Sequence, residues 1–117
     1  MPIPCAKESI SLPELFNLFA QLPATGETED FTTLFESELV RIERIVSDEH
    51  RSPQDFWYDQ PHDEWVMLLR GEAVLEFESG EQQMLYVGDS VHIPAGCVHR
   101  VAQTAPRTVW LAIHMFG

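Results

Sequence analysis

Gly88-Asp-Ser-Val-His-Ile-Pro-Ala-Gly-Cys-Val-His99 is the stretch on which the fold turns. Two glycines and a proline punctuate a short apolar run, Val91 to Ile93, and return the chain into a new extended segment that opens at His99. A histidine where a strand re-enters the interior is either a metal ligand or one member of a buried polar pair.

The sequence on both sides of this stretch alternates with period two. Val40, Ile42, Arg44 and Val46 alternate with Arg41, Glu43 and Ile45, which predicts a strand with one fully buried face. Glu64 to Arg70 (EWVMLLR) is apolar on both faces and predicts a central strand. Ala73, Leu75 and Phe77 alternate with Glu72, Val74, Glu76 and Glu78, and Gly71 makes the turn or bulge between these two strands. Met84 to Val87, Val91 to Ile93 and Val109 to Phe116 are further strands, so the spacing predicts an antiparallel sandwich or barrel. Upstream the period is helical. Leu12, Leu15, Phe16 and Phe19 follow a capping box formed by Ser11 and Glu14, which predicts a short helix over 11–21, ended by Pro23 and Gly26.

At 117 residues the chain accommodates one domain, read as an N-terminal extension of about 1–30 and a barrel of about 31–117. No apolar run approaches the roughly 20 residues of a helical membrane span. Seven basic against nineteen acidic side chains give a net charge of -12, which repels nucleic acid and anionic membrane. The opening residues lack the basic start and unbroken apolar stretch of a secretory signal, so a cytoplasmic location is expected. Cys5 and Cys97 have no C-x-x-C spacing and make neither a zinc knuckle nor a redox pair; Cys97 is read as a small core-filling thiol.

The spacing G-x5-P-x-G-x2-H at Gly88, Pro94, Gly96 and His99 resembles the second motif of the cupin family. Glu64 and Gly71 keep the closing spacing of that family's first motif. The places of its paired histidines are held by Tyr58 and Gln60 if three residues intervene before Glu64, or by Trp57 and Asp59 if four do. Alternation along an extended segment puts these two pairs on opposite faces, and Tyr58 and Gln60 are taken as inward. The resemblance covers about 56–103 by motif and reaches Phe116 by strand pattern. It implies an all-β cupin barrel of two packed antiparallel sheets behind a short N-terminal helix, and a homodimer.

The resemblance also implies that His99 is a metal ligand. Glu64 adds a hard carboxylate, Gln60 a weak amide oxygen and Tyr58 a phenol, a set that would suit a divalent Fe, Mn, Ni or Zn ion. Around it, Trp57, His62, Trp110 and His114 are expected to line the pocket. Trp110 and His114 share a face of the last strand, and a bend at Pro61 would bring His62 to the place of the missing imidazole. The competing account is a buried Glu64–His99 pair with no metal. Two functions stand open: a metal-dependent enzyme of the oxygenase or isomerase type acting on a small organic substrate, and a non-catalytic barrel that binds a small molecule without a functional metal site.

Overall fold

The computed structural model describes residues 12–23 and 28–117. It is built from eight strands: β1 (Asp30–Glu36), β2 (Val40–Ser47), β3 (Asp63–Arg70), β4 (Ala73–Phe77), β5 (Gln82–Leu85), β6 (Ser90–Ile93), β7 (His99–Thr104) and β8 (Thr108–Met115). They form a five-stranded sheet in the order β1-β2-β8-β3-β6 and a three-stranded sheet in the order β5-β4-β7, antiparallel throughout. Val66, Leu68, Ala73, Leu75, Leu85, Ile93, Val101, Trp110 and Ala112 fill the space between the sheets.

β3, expected to be apolar on both faces and central, alternates in burial: Glu64, Val66 and Leu68 are buried and Trp65 and Arg70 are exposed. β3 has neighbours on both edges, β8 and β6, yet its second face is only partly covered: Trp65 stays 43% exposed and stacks on His92 at 6.1 Å. On β2 the reverse holds. Glu43, Arg44, Ile45, Val46 and Ser47 are all buried, so the last half of this strand is covered on both faces.

The outer cover of β2 is the segment 12–23, and here the expected helix is corrected. Ser11, where it was to begin, lies outside the described residues; Leu12 to Pro23 contain no helix, with a turn at 18–21. Asn17 folds its side chain back to accept a hydrogen bond from the Phe19 N–H at 2.8 Å, a local turn that competes with the helical ladder. Arg44 then draws the carbonyls of Leu18 and Ala20 to its guanidinium at 3.4 and 3.0 Å. Those carbonyls serve a buried cation instead of a helix. Phe16 and Phe19 lie under the guanidinium groups of Arg44 and Arg70, and the remaining apolar positions of the stripe, Leu12 and Leu15, are exposed.

Two glycines act at positive φ, where a side chain is disfavoured, and at one of them there is also no room for it. Gly71, between β3 and β4, has φ +89, and a Cβ there would lie 2.3 Å from Thr108 Oγ1 and 2.9 Å from Thr108 Cα. Gly96, at φ +78, closes the turn that begins at Pro94 and donates its N–H to the Gln60 carbonyl at 2.8 Å. Tyr58 and His99 continue the same pairing, each N–H bonded to the other's carbonyl at 2.7 and 3.1 Å. The quoted stretch thereby fastens residues 58–60 to the mouth of β7.

Candidate functional site

A cavity of about 320 Å³ opens between the sheets. Its walls are Ile45, Val66, Leu75, Ile93, Val101 and Trp110; its polar lining is Glu29, Arg41, Glu43, Tyr58, Gln60, Glu64, His99 and His114, with Phe31 beside them. That volume is at the lower end of small-molecule pockets.

Strand register explains the polar group. Glu64 on β3 pairs with His114 on β8, which pairs with Arg41 on β2, so three ionisable side chains stand in one row across adjacent strands. In the next row Glu43 faces Ala112, whose lack of bulk lets the His114 ring reach diagonally. His114 Nε2–H donates to Glu43 Oε1 at 2.9 Å, and Glu64 Oε2 lies 3.8 Å away. With Nε2 donating, Nδ1 of the neutral ring accepts from His62 Nε2–H at 2.9 Å. His62 also leans on the ring of Phe116 at 4.7 Å. Burial, then the nearby His114, hold the His62 pKa below its ordinary value.

His99 stands apart from this network. It is 5% exposed, and its Nδ1–H donates to the Cys97 carbonyl at 2.9 Å, which leaves Nε2 as the unprotonated acceptor of the neutral ring. Among the described residues Nε2 has no hydrogen-bond partner. The Tyr58 ring stacks on His99 at 5.4 Å, braced edge-on by Phe56 at 4.8 Å. Burial first, and then the carboxylates of Glu29, Glu64 and Glu43, push the Tyr58 pKa up to about 12. Tyr58 therefore remains a phenol with a proton to give.

The other polar lining is acidic. Gln60 Nε2 donates to Glu64 Oε1 at 2.8 Å. Glu29, from the segment that leads into β1, accepts a hydrogen bond from Ser47 Oγ at 2.5 Å, and Ser47 in turn accepts from the Trp110 indole at 3.0 Å. Burial raises the Glu29 pKa, opposed by the Ser47 hydrogen bond and by His50.

The structure thus brings Tyr58, Gln60, Glu64, His99, Trp110 and His114 to one cavity. His62 is set behind His114 and leaves the place of the missing imidazole empty. Trp57 does not line the cavity: it is 36% exposed, with the Arg100 guanidinium over its ring. His92 sits on the outer surface, bonded to Asp63, whose other oxygen accepts from the Ala95 N–H and clamps the Pro94 turn. Cys97 packs against the core. Sequence reasoning missed Glu29, Arg41 and Glu43.

Strand order, the Gly71 and Gly96 turns and the interior His99 point one way, and comparison with known proteins agrees. A family model described as the cupin domain matches residues 46–114, more than half of the chain. The chain belongs to the cupin family. Its fold also matches solved cupins. A "putative mannose-6-phosphate isomerase" from Ralstonia eutropha JMP134 is 44% identical, with a TM-score of 0.84 over 90% of this chain and 100% of that one. A cupin superfamily protein from Desulfitobacterium hafniense DCB-2, 22% identical, aligns at a TM-score of 0.73 over 91% and 95% of the two chains. The uncharacterized protein YdbB of Bacillus subtilis strain 168 is 38% identical over 58 residues, so the chain spans about half the length of this curated relative.

The donor chemistry does not fit the metal that the family implies. His99 offers one imidazole nitrogen; Gln60 turns its amide N–H₂, not its oxygen, towards Glu64, and Tyr58 keeps its proton. Among the described residues no three His, Cys, Asp or Glu side chains converge to hold a metal ion. What the cavity can do chemically therefore rests on its own side chains.

Proposed function

We propose that this cupin is a binding barrel for a small polar organic molecule, held without a histidine-rich metal centre. The observation that carries this reading is a pair of groups in the cavity that lack partners among the described residues. The acceptor Nε2 of His99 and the donor O–H of Tyr58 make no hydrogen bond among the described residues, and the two rings stack at 5.4 Å. Polar groups inside a protein are normally satisfied, so a molecule that bonds both explains why they face the cavity.

The substrate in the Ralstonia relative's name is not carried over. A phosphate entering this cavity meets the carboxylates of Glu29, Glu43 and Glu64. The lining's guanidinium, Arg41, is already engaged at 3.6 Å from Glu43 and 4.0 Å from Glu36.

The test uses Trp110, which lines the cavity. In a Trp57→Phe, Trp65→Phe background Trp110 is the remaining indole, and a molecule that enters the barrel changes its emission, while His99→Asn abolishes the change. Elemental analysis of untagged protein goes with it. Near-stoichiometric iron, manganese, nickel or zinc that His99→Ala releases would overturn the metal-free reading.

A second reading rests on the same stacked pair. An acceptor imidazole beside a protonated phenol is the equipment for proton transfer at a bound molecule, with His99 taking a proton and Tyr58 giving one. Binding that survives Tyr58→Phe while turnover is lost would select this reading over simple binding.

A further inference from the structure

The chemistry of the lining narrows the ligand. Among the described residues each cavity carboxylate has one oxygen in a short hydrogen bond and one whose nearest basic group is more distant. Glu64 Oε1 accepts from Gln60 at 2.8 Å, whereas its Oε2 is 3.8 Å from His114. Glu43 Oε1 accepts from His114 at 2.9 Å, whereas its Oε2 is 3.6 Å from Arg41. Glu29 Oε2 accepts from Ser47 at 2.5 Å, whereas its Oε1 is 3.8 Å from His50. A carboxylate accepts several hydrogen bonds, so the three together leave acceptor capacity that the described residues do not fill.

Acidic clusters are common on protein surfaces and by themselves point to nothing. Here a separate group points the same way: His99, buried at 5% exposure, contributes an acceptor nitrogen with no partner among the described residues. Its tautomer is fixed by the Cys97 carbonyl, so it cannot turn into a donor without taking up a proton. The rings of Tyr58, Trp110 and Phe31 add π faces to the same lining. Such faces attract cations. Burial is the main cause of the raised pKa values of Glu29 and Tyr58, and the neighbouring carboxylates add to it.

We infer that the barrel's ligand is an organic cation, a small molecule carrying an ammonium or amidine group that donates hydrogen bonds to Glu29, Glu43, Glu64 and His99 while its carbon skeleton lies on Trp110 and the aliphatic wall. This rests on the binding-barrel reading and deepens it. A neutral polyol would satisfy some of these acceptors but leave the carboxylate charge uncompensated. An anion would add to it.

The experiment titrates the intact chain with three matched sets: butylamine, butanol and butyl phosphate; benzylamine, benzyl alcohol and benzyl phosphate; glucosamine, glucose and glucose 6-phosphate. Affinity is read by calorimetry and by Trp110 emission. In at least one set the amine binds at least about tenfold more tightly than its alcohol, about 1.4 kcal/mol, and the phosphate does not bind. Glu64→Gln narrows that ratio. Glu29→Gln, placed outside the strands, narrows it too and guards against a Glu64 variant that fails to fold. An alcohol or phosphate that binds as tightly as its amine overturns the cation and leaves the binding barrel standing. Absence of binding across all three sets at about millimolar concentration, with Trp110 emission unmoved, overturns both.

Discussion

His114→Ala is the perturbation that most directly tests the buried network. His114 is 4% exposed and holds Glu43 through Nε2 at 2.9 Å and His62 through Nδ1 at 2.9 Å. Its removal leaves Glu43, 7% exposed, without its hydrogen-bond donor and with Arg41 Nε at 3.6 Å as its nearest cation. Removing one partner of a buried pair costs about 3–5 kcal/mol, because the other charge stays behind without compensation. Arg41 and water entering the emptied volume recover part of this, so the expected loss is about 3 kcal/mol, roughly 10 °C in Tm. Denaturant titration of the single variants and of His114→Ala with Glu43→Gln closes a double-mutant cycle. The pair should couple by at least about 1 kcal/mol, because Glu43→Gln removes the charge that His114→Ala strands. A loss below about 1 kcal/mol, or two losses that simply add, would refute the network as a stabilising unit.

Gly71→Ala drives a Cβ to 2.3 Å from Thr108 Oγ1 at a φ of +89, so it should cost about 3 kcal/mol by denaturant titration; a near-neutral variant would mean that the β3–β4 turn is not so confined. Ultraviolet pH titration of the wild type should contain a phenol ionising at about 12 that vanishes in Tyr58→Phe, and the absence of that component would contradict the burial of Tyr58 among carboxylates. The His62 pKa is lowered from 6.5, so as pH falls the unfolded chain binds that proton first; stability present above about pH 6.5 is lost progressively below it, and thermal melts of His62→Asn should show a shallower decline than wild type. Tyr58→His with Gln60→His places two imidazoles on the cavity beside His99 and Glu64, and calorimetry should then register binding of Zn(II) or Ni(II) that the wild type lacks; a folded double variant that ignores both ions would show that these four positions do not share a centre. Sedimentation tests the expected homodimer directly, a species of 13.4 kDa alone being the contrary result.

How much of this was legible follows from the range over which each signal acts. The turns were local: Gly71, Gly88, Pro94 and Gly96 carry their conformational demands in single residues, and with alternation they located the β3–β4 boundary and the opening of β7 at His99. Trp110 and His114 were assigned to one face by parity along a single strand, and both line the cavity. Glu43 and Arg41 were not recognised because their importance is a matter of register. Nothing near residue 41 or 43 says that β2 will pair with β8 so that Arg41 meets His114. Glu29 was hidden for a further reason, since it belongs to no strand and acquires its place through Ser47. The helical period of Leu12, Leu15, Phe16 and Phe19 was a true pattern with another outcome. Asn17 turns the backbone locally, and Arg44, buried at 4% exposure, takes two of the carbonyls that a helix would have used.

The residues at 58 and 60 do more than omit two imidazoles. Gln60 supplies an N–H to Glu64 Oε1, so one oxygen of that carboxylate is held within the protein, while Oε2 lies 3.8 Å from His114 and still faces the cavity. Tyr58 covers His99 with a ring and keeps its own proton, so the imidazole acquires a stacking partner and no competing ligand. Each change alone would leave a cavity with part of a metal site and a buried carboxylate in want of partners, which is costly. Together they engage one oxygen of Glu64 and leave its other oxygen and His99 as acceptors. The cavity's remaining demand is then for hydrogen-bond donors, and a molecule rich in them meets that demand.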